Sequence, residues 1–418
     1  MARFLFVVPP LVGHTNPTVS VARALEARGH EVAWVAHPRA VRPLLPANAR
    51  LVELDDHVPE QRWAEANAKA RAVRGLAAFQ FLWEEFFVPL AHSMMPGVER
   101  AVDAIAPDVL VVDQQALAGA MIARKRGLGW ATFATTSAGL TDPLAGLPRV
   151  RAWLDAQIAS LEGAAGLAPV AEPDRSPHLV IAFTTPALMG GAATFADHVH
   201  FVGPAIAERP ENAPFPFEAL REVPRVLVSL GTVNFEVGER FYNVAVEALE
   251  NEPIQVVMVA PVKQLARVPD NFLVRPFVPQ LALLPHMQAV VSHGGHNTVA
   301  ETLWNGLPLV VLPIKDDQPV VAEQVASAGA GIRLKFGRVR PDELRDAVRR
   351  VLAEPSFREA AARVQASFRE AGGAGRAADL LARLSASKLP VSEQAASQQA
   401  VSQQATSAPA AHLGEDPC

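Results

Sequence analysis

The sequence predicts an α/β protein made of two doubly wound domains. Three observations predict it. Short apolar runs alternate with helix-period segments from residue 3 onward, which is the pattern of βαβ units on a parallel sheet. A fresh apolar strand opens at Arg225–Leu230, just after a stretch rich in proline and charge, Ala205–Glu222. The chain has 418 residues, half of them hydrophobic, which is room for roughly two to three cored domains.

In order, Arg3–Val8 reads as the first strand and Leu11–Asn16 as a turn. Pro17 suits a first helical position, and Val19, Val21, Ala22 and Leu25 mark the helix face. Gly29 ends that helix and Glu31–Val35 is the next strand, which completes a βαβ unit. Leu44–Asp56 carries little pattern. Trp63–Val102 is mostly helical, with Phe79, Phe81, Trp83, Phe86 and Phe87 at its centre. Val109–Val112 is a buried strand ending at Asp113, Leu117–Lys125 a helix, and Trp130–Ala134 a strand. Arg151–Leu161 is helical, and Leu179–Ala182 and Val199–Val202 are the last strands of the first half.

The second half repeats the scheme. Arg225–Leu230 is a strand, Arg240–Glu250 a helix, and Ile254–Ala260 and Val274–Phe277 are strands. Pro341–Ala353 and Ser356–Leu384 are amphipathic helices. The chain therefore divides into 1–205, a linker 206–222, a second domain 223–355, a C-terminal helix 356–385 and a tail 386–418. The tail is Ala, Ser, Gln and Val with a short imperfect repeat, lacks aromatics, and is expected to be disordered.

A net charge of −5 gives no basic field for nucleic acid or an anionic membrane. The lone cysteine, Cys418, permits no intramolecular disulfide, which fits a reducing compartment. No run approaches the ~18 apolar residues of a membrane span, and the N-terminal apolar run is short and broken by prolines. The expected location is the cytoplasm.

The organising stretch is Ser292–Gln318, SHGGHNTVAETLWNGLPLVVLPIKDDQ. It reads as strand end, glycine turn, helix, strand and polar loop. Gly294 and Gly295 offer a bare backbone, and a helix N-terminus behind them favours negative charge. His293, Asn297 and Thr298 add donors, with ordinary helix capping as an equal reading for the last two. Glu301 lies one turn on, able to accept from hydroxyls or simply to face solvent. Asp317 and Gln318 suit a polar sugar or a solvated loop. Small residues at Gly231-Thr232 let a ligand approach the second domain's first strand, or merely make a turn.

In the first half, His14 follows strand one and Asp113 ends another strand, so both belong at the carboxyl edge where open sheets bind ligands. From position alone His14 is either a proton acceptor or a cap, and Asp113 either its partner or a cap. Asp108 precedes its strand and belongs at the other edge. Gly373–Ala378 fits a loose GxGxxA pattern but follows a helix, so it is discarded as a dinucleotide fingerprint.

Ser292–Gln318, together with Phe277-Val278-Pro279-Gln280 and PPLVGHTNP around His14, resembles the inverting, metal-independent glycosyltransferases of the UDP-glycosyltransferase and bacterial macrolide glycosyltransferase family. The resemblance covers residues 1 to about 385. It implies two facing domains (the GT-B fold) with a cleft between them, the last helix crossing back to the first domain. It implies His14 as general base and Asp113 as its partner. The diphosphate falls to His293, Gly295, Asn297 and Thr298, with Thr232 close by. Ribose goes to Glu301 and Gln280, base to Phe277 and the Val278 backbone, and sugar to Asp317 and Gln318. Phe277 stands where plant relatives often carry a tryptophan, which leaves uracil or thymine open. No metal or cofactor is implied. The co-substrate is UDP-glucose or a related NDP-sugar, dTDP-sugars next, and the acceptor a lipophilic natural product such as a macrolide, polyketide or phenolic compound. Phe79, Phe81, Trp83, Phe86, Phe87, Met94 and Met95 wall the acceptor pocket or pack helices. A sugar-nucleotide 2-epimerase and a non-catalytic helper of a partner transferase are the other readings.

Overall fold

A computed structural model describes residues 1–55, 76–141, 144, 146–190, 195–206, 214–231 and 238–387. Thr232, the first part of the expected helix Trp63–Val102, part of the linker and the tail from 388 lie outside the described residues.

Among the described residues two parallel sheets form the framework. The first has seven strands: β1 Arg3–Val7, β2 Glu31–Ala36, β3 Leu51–Glu53, β4 Val109–Asp113, β5 Trp130–Ala134, β6 Val180–Ala182 and β7 Val199–Phe201. Their order is β3-β2-β1-β4-β5-β6-β7. The second has six: β8 Arg225–Ser229, β9 Gln255–Val259, β10 Phe272–Arg275, β11 Ala289–Ser292, β12 Leu309–Val311 and β13 Gly331–Arg333, ordered β10-β9-β8-β11-β12-β13. Every strand pair among the described residues is parallel. The two doubly wound domains predicted from the apolar alternation are present.

Strand periodicity explains the layers. Along β1, Phe4 and Phe6 enter one core with Val19, Ala22 and Leu25, while Leu5 and Val7 enter another with Leu90, Met94 and Val98. Successive side chains point to opposite faces, so each face carries its own helices. In the second sheet Val226 and Val228 lie in one core and Leu227 in the other.

Four expectations change. The strand expected at Val274–Phe277 is Phe272–Arg275, which leaves Phe277 beyond its end, and Leu44–Asp56 holds the short strand β3. The first helix is Val12–Glu26, so Leu11–Asn16 is not a separate turn and Pro17 lies inside the helix. Leu11 already accepts from the Thr15 N–H, and the helical ladder starts before the proline. The single helix expected over Ser356–Leu384 is two, Pro355–Glu370 and Gly373–Ala386. They part at Gly372 and Gly373, with φ of 88° and 52°, values that suit glycine and break the helical path. The two halves then serve different sheets. Val364 and Phe368 pack with Val299 and Leu303 of the second domain, whereas Ala377, Leu381 and Leu384 pack with Phe4, Phe6 and Val21 of the first. Arg28 pairs with Asp379 and donates to the Gly375 carbonyl, so the rejected GxGxxA run opens a helix against the first helix. Among the described residues no helix is long and apolar enough to cross a membrane.

Candidate active site

Each sheet reverses its winding once, between β1 and β4 in the first and between β8 and β11 in the second. Such switch points open a crevice at the carboxyl ends of the strands. His14 and Asp113 sit at the first crevice; Gly231 and the turn 293–297 sit at the second.

His14 lies in the first turn of helix Val12–Glu26. Its Nδ1 is 2.9 Å from Oδ1 and 2.9 Å from Oδ2 of Asp113. Asp113 is 1 % exposed and is held from three sides. Besides His14, the Gln115 N–H donates to Oδ1 at 2.9 Å and the Thr135 hydroxyl to Oδ2 at 2.6 Å. Thr135 Oγ1 also lies 2.8 Å from His14 Nδ1. Asp113 thus anchors its own turn and grips the imidazole; the N-cap of the next helix is Ala116, without a side-chain bond. Burial alone would depress the His14 pKa, but the Asp113 charge, its hydrogen bond and the Asp317 charge raise it above 6.5. Asp108 accepts from the Arg3 N–H at the opposite edge of the sheet.

The second half of the site is built on glycine. Gly294 has φ +88°, and a Cβ there would also stand 2.7 Å from Val311 Cγ1. Gly295 is the N-cap of helix His296–Trp304. A Cβ on it would stand 2.5 Å from His293 Nε2, and a Cβ on Gly231 2.8 Å from His293 Cε1. The ring of His293 therefore fills the space that two side chains would take. Burial pushes its pKa down to about 4, against the Asp317 charge and a backbone hydrogen bond to Ser229. At neutral pH it offers an N–H without a positive charge. Gly295→Ala is expected to displace this ring and weaken nucleoside diphosphate binding about tenfold, within the usual cost of overpacking. Calorimetry with UDP and dTDP checks this; unchanged affinity would show that the ring yields freely.

Glu301 is buried and accepts from Gln280 Nε2 at 2.6 Å, which excludes a solvated helix glutamate. Phe277 is 55 % exposed, and Val278 packs beside Leu283 and Leu284. Thr298 is half-buried. Gln318 turns its side-chain oxygen to the N–H groups of Ile314 and Lys315, closing its own loop. Asp317 accepts from the Thr136 hydroxyl at 2.6 Å, whereas Asp316 adopts φ +57° beside Lys315.

Sequence reasoning missed the run Thr135-Thr136-Ser137. It follows β5 and touches both halves of the site. Thr135 meets the dyad, Thr136 meets Asp317, and Ser137 donates to Gln324 Oε1 at 2.6 Å. Three consecutive hydroxyls at a strand's carboxyl end were the available signal. His296 was also missed. Its Nε2 donates to the Phe183 carbonyl at 3.2 Å, and its Nδ1 lies 3.4 Å from the oxygen of Ser137, whose hydrogen goes to Gln324. Burial holds it neutral, lowering its pKa despite the Asp317 charge.

The aromatic group divides. Phe87 and Met94 are buried, with Phe86 and Met95 packed against the first-domain core. Phe79 and Trp83 are half-buried beside Trp153, at ring distances of 6.4 Å to one another and 6.3 Å from Phe79 to Trp153. Phe81 is half-buried. Helix packing accounts for the core members.

Residues 244–371 match the model of the erythromycin biosynthesis protein CIII-like C-terminal domain. The chain is 30 % identical over 420 residues to 4'-demethylrebeccamycin synthase of Lentzea aerocolonigenes, spanning 91 % of this chain and 99 % of that protein. This chain belongs to the UDP-glycosyltransferase and macrolide glycosyltransferase family. It is also 28 % identical over 417 residues to demethyllactenocin mycarosyltransferase of Streptomyces fradiae, covering 91 % of this chain and 86 % of that one. The calicheamicin glycosyltransferase CalG4 superposes with a TM-score of 0.76 at 25 % identity, over 93 % of this chain and 100 % of its own. The two sheets are thus the paired domains of a GT-B glycosyltransferase, with both switch points turned to one cleft.

Proposed function

We propose that this glycosyltransferase moves a hexose, with inversion and without metal, from an NDP-sugar to a hydroxyl of a lipophilic natural product. The observation that carries this reading is the His14–Asp113 pair at 2.9 Å, on the first crevice and opposite the 293–297 turn. Asp113 and Thr135 occupy Nδ1, so Nε2 is the nitrogen that takes the acceptor proton. As that proton leaves, the acceptor oxygen bonds to the anomeric carbon and the bond from that carbon to the diphosphate breaks. The electron pair goes to the diphosphate. N–H groups at the start of helix His296–Trp304 and the neutral His293 meet the growing charge. Glu301 and Gln280 take the ribose, and the exposed Phe277 lies toward the base. UDP-glucose is the first donor to test, with dTDP-glucose next. YojK of Bacillus subtilis, named an uncharacterized UDP-glucosyltransferase and 28 % identical over 399 residues, is in keeping with that order. Relatives named for demethylrebeccamycin, demethyllactenocin and oleandomycin support a natural-product acceptor. The half-buried Phe79, Phe81 and Trp83 are candidate wall residues for it.

The test is product mass spectrometry with UDP-glucose or dTDP-glucose and a panel of phenols and macrolides. A hexose mass gain on an acceptor is expected. Conversion of the donor alone would favour an epimerase, and donor binding without turnover a helper protein.

The pH profile follows from His14. The base acts as neutral imidazole, and its pKa lies above 6.5. Initial kcat/KM is expected to plateau at alkaline pH and fall about tenfold per pH unit below that raised value. The stability contribution has the opposite sign. The protonated ring is favoured by folding, so this contribution is full below 6.5 and is lost as pH rises through the raised pKa. An acid limb centred below 6.5 would remove His14 from the role.

A further inference from the structure

Pro17 sits in the interior of helix Val12–Glu26. An ordinary residue there would donate its N–H to the Gly13 carbonyl, four positions back; proline has no such hydrogen. The Gly13 carbonyl is instead taken by the second domain, where Asn297 Nδ2 donates to it at 3.0 Å. Gly13 immediately precedes His14. Asn297 is the second residue of the helix that begins at the glycine turn. An asparagine amide carries two hydrogens, and Gly13 uses one.

We infer that Asn297 is a positioning residue that ties the backbone of the base's helical turn to the donor site, through a carbonyl that Pro17 leaves open. One amide hydrogen holds Gly13 and the other is left for the diphosphate. The distance from His14 to the anomeric carbon is then set only when the two domains meet. This rests on the transferase reading above. The arrangement also suits repeated opening, because a helix carbonyl without a helical partner can be given to water when the cleft parts. Space is not the reason for glycine at position 13. A Cβ there would stand 3.5 Å from Asn297 Nδ2, an ordinary contact.

The test uses Pro17→Ala, Asn297→Ala and the double variant in the full chain. Alanine at 17 restores a competing N–H and is the better helix former, so the fold is not at risk. Pro17→Ala is expected to lower kcat roughly 3- to 10-fold, with donor KM changed less than about twofold and no loss of thermal midpoint. Added to Asn297→Ala, it is expected to change kcat by less than about 1.5-fold, because the carbonyl has already lost its partner. An undiminished kcat in Pro17→Ala, or the same fold loss in both backgrounds, would overturn the inference.

Closure is also read without turnover, by X-ray scattering of the donor-free protein. Each single variant is expected to have a larger radius of gyration than the wild type, and the double variant one no larger than Asn297→Ala. Equal radii in all four would overturn the inference. Absence of product from the wild type, with the radii ordered as expected, would instead count against the transferase reading alone.

Discussion

His14→Ala is expected to lower kcat by about 10²–10⁴-fold, the usual range for loss of a general base. That corresponds to about 3–5 kcal/mol of barrier. The donor KM is expected to stay within about twofold, because the donor's contacts lie on the second domain. Stability falls as well, since Asp113 is 1 % exposed and loses its imidazole partner. Thr135 and the Gln115 N–H still donate to the carboxylate, so the loss is limited to about 1–3 kcal/mol. Product mass spectrometry and thermal unfolding on one preparation separate the two effects. Transfer at an undiminished rate would end the base assignment while leaving the class intact.

Asp113→Asn is expected to cost almost as much, on the order of 10²–10⁴-fold in kcat, although volume and shape barely change. The reason is the tautomer. The carboxylate accepts from Nδ1–H, which leaves the Nε2 lone pair for the acceptor proton. An amide nitrogen in its place donates into Nδ1 and sends the ring proton to Nε2, blocking the reactive atom. In the serine-protease triad the corresponding change costs about 10⁴-fold by this route. The lost charge also removes a main cause of the raised His14 pKa. The acid limb of kcat/KM is therefore expected to move to lower pH even as the plateau collapses. A full plateau with an unmoved limb would show that Asp113 only caps its turn.

Local pattern made much of the fold legible. β5 Trp130–Ala134 and helix Pro341–Ala353 have the bounds read from apolar periodicity, because both are buried along a whole face. The glycine turn and the helix after it were legible for a similar reason, since Gly294 at φ +88° admits little else. The start of the first helix was not legible. Pro17 normally opens a helix, and only the partner that Asn297 gives to the Gly13 carbonyl accounts for the missing ladder bond further in. By its own pattern Glu301 read as a solvated helix residue, and only burial and Gln280 place it inside.

The sequence by itself determined two apolar strand–helix series and placed a histidine and an aspartate at the carboxyl ends of strands in the first. These follow from periodicity, proline and glycine, which act over a few residues. What only the tertiary structure decided is which distant side chains come within hydrogen-bond distance and which cross the cleft. His14 and Asp113 are 99 positions apart and meet because β1 pairs with β4. Thr135 joins them because β5 lies next in the same sheet. Thr136 and Asp317 stand 181 positions apart in loops of different domains, and no local pattern relates them. Such contacts are fixed by sheet order and domain approach, quantities that no short window of sequence contains.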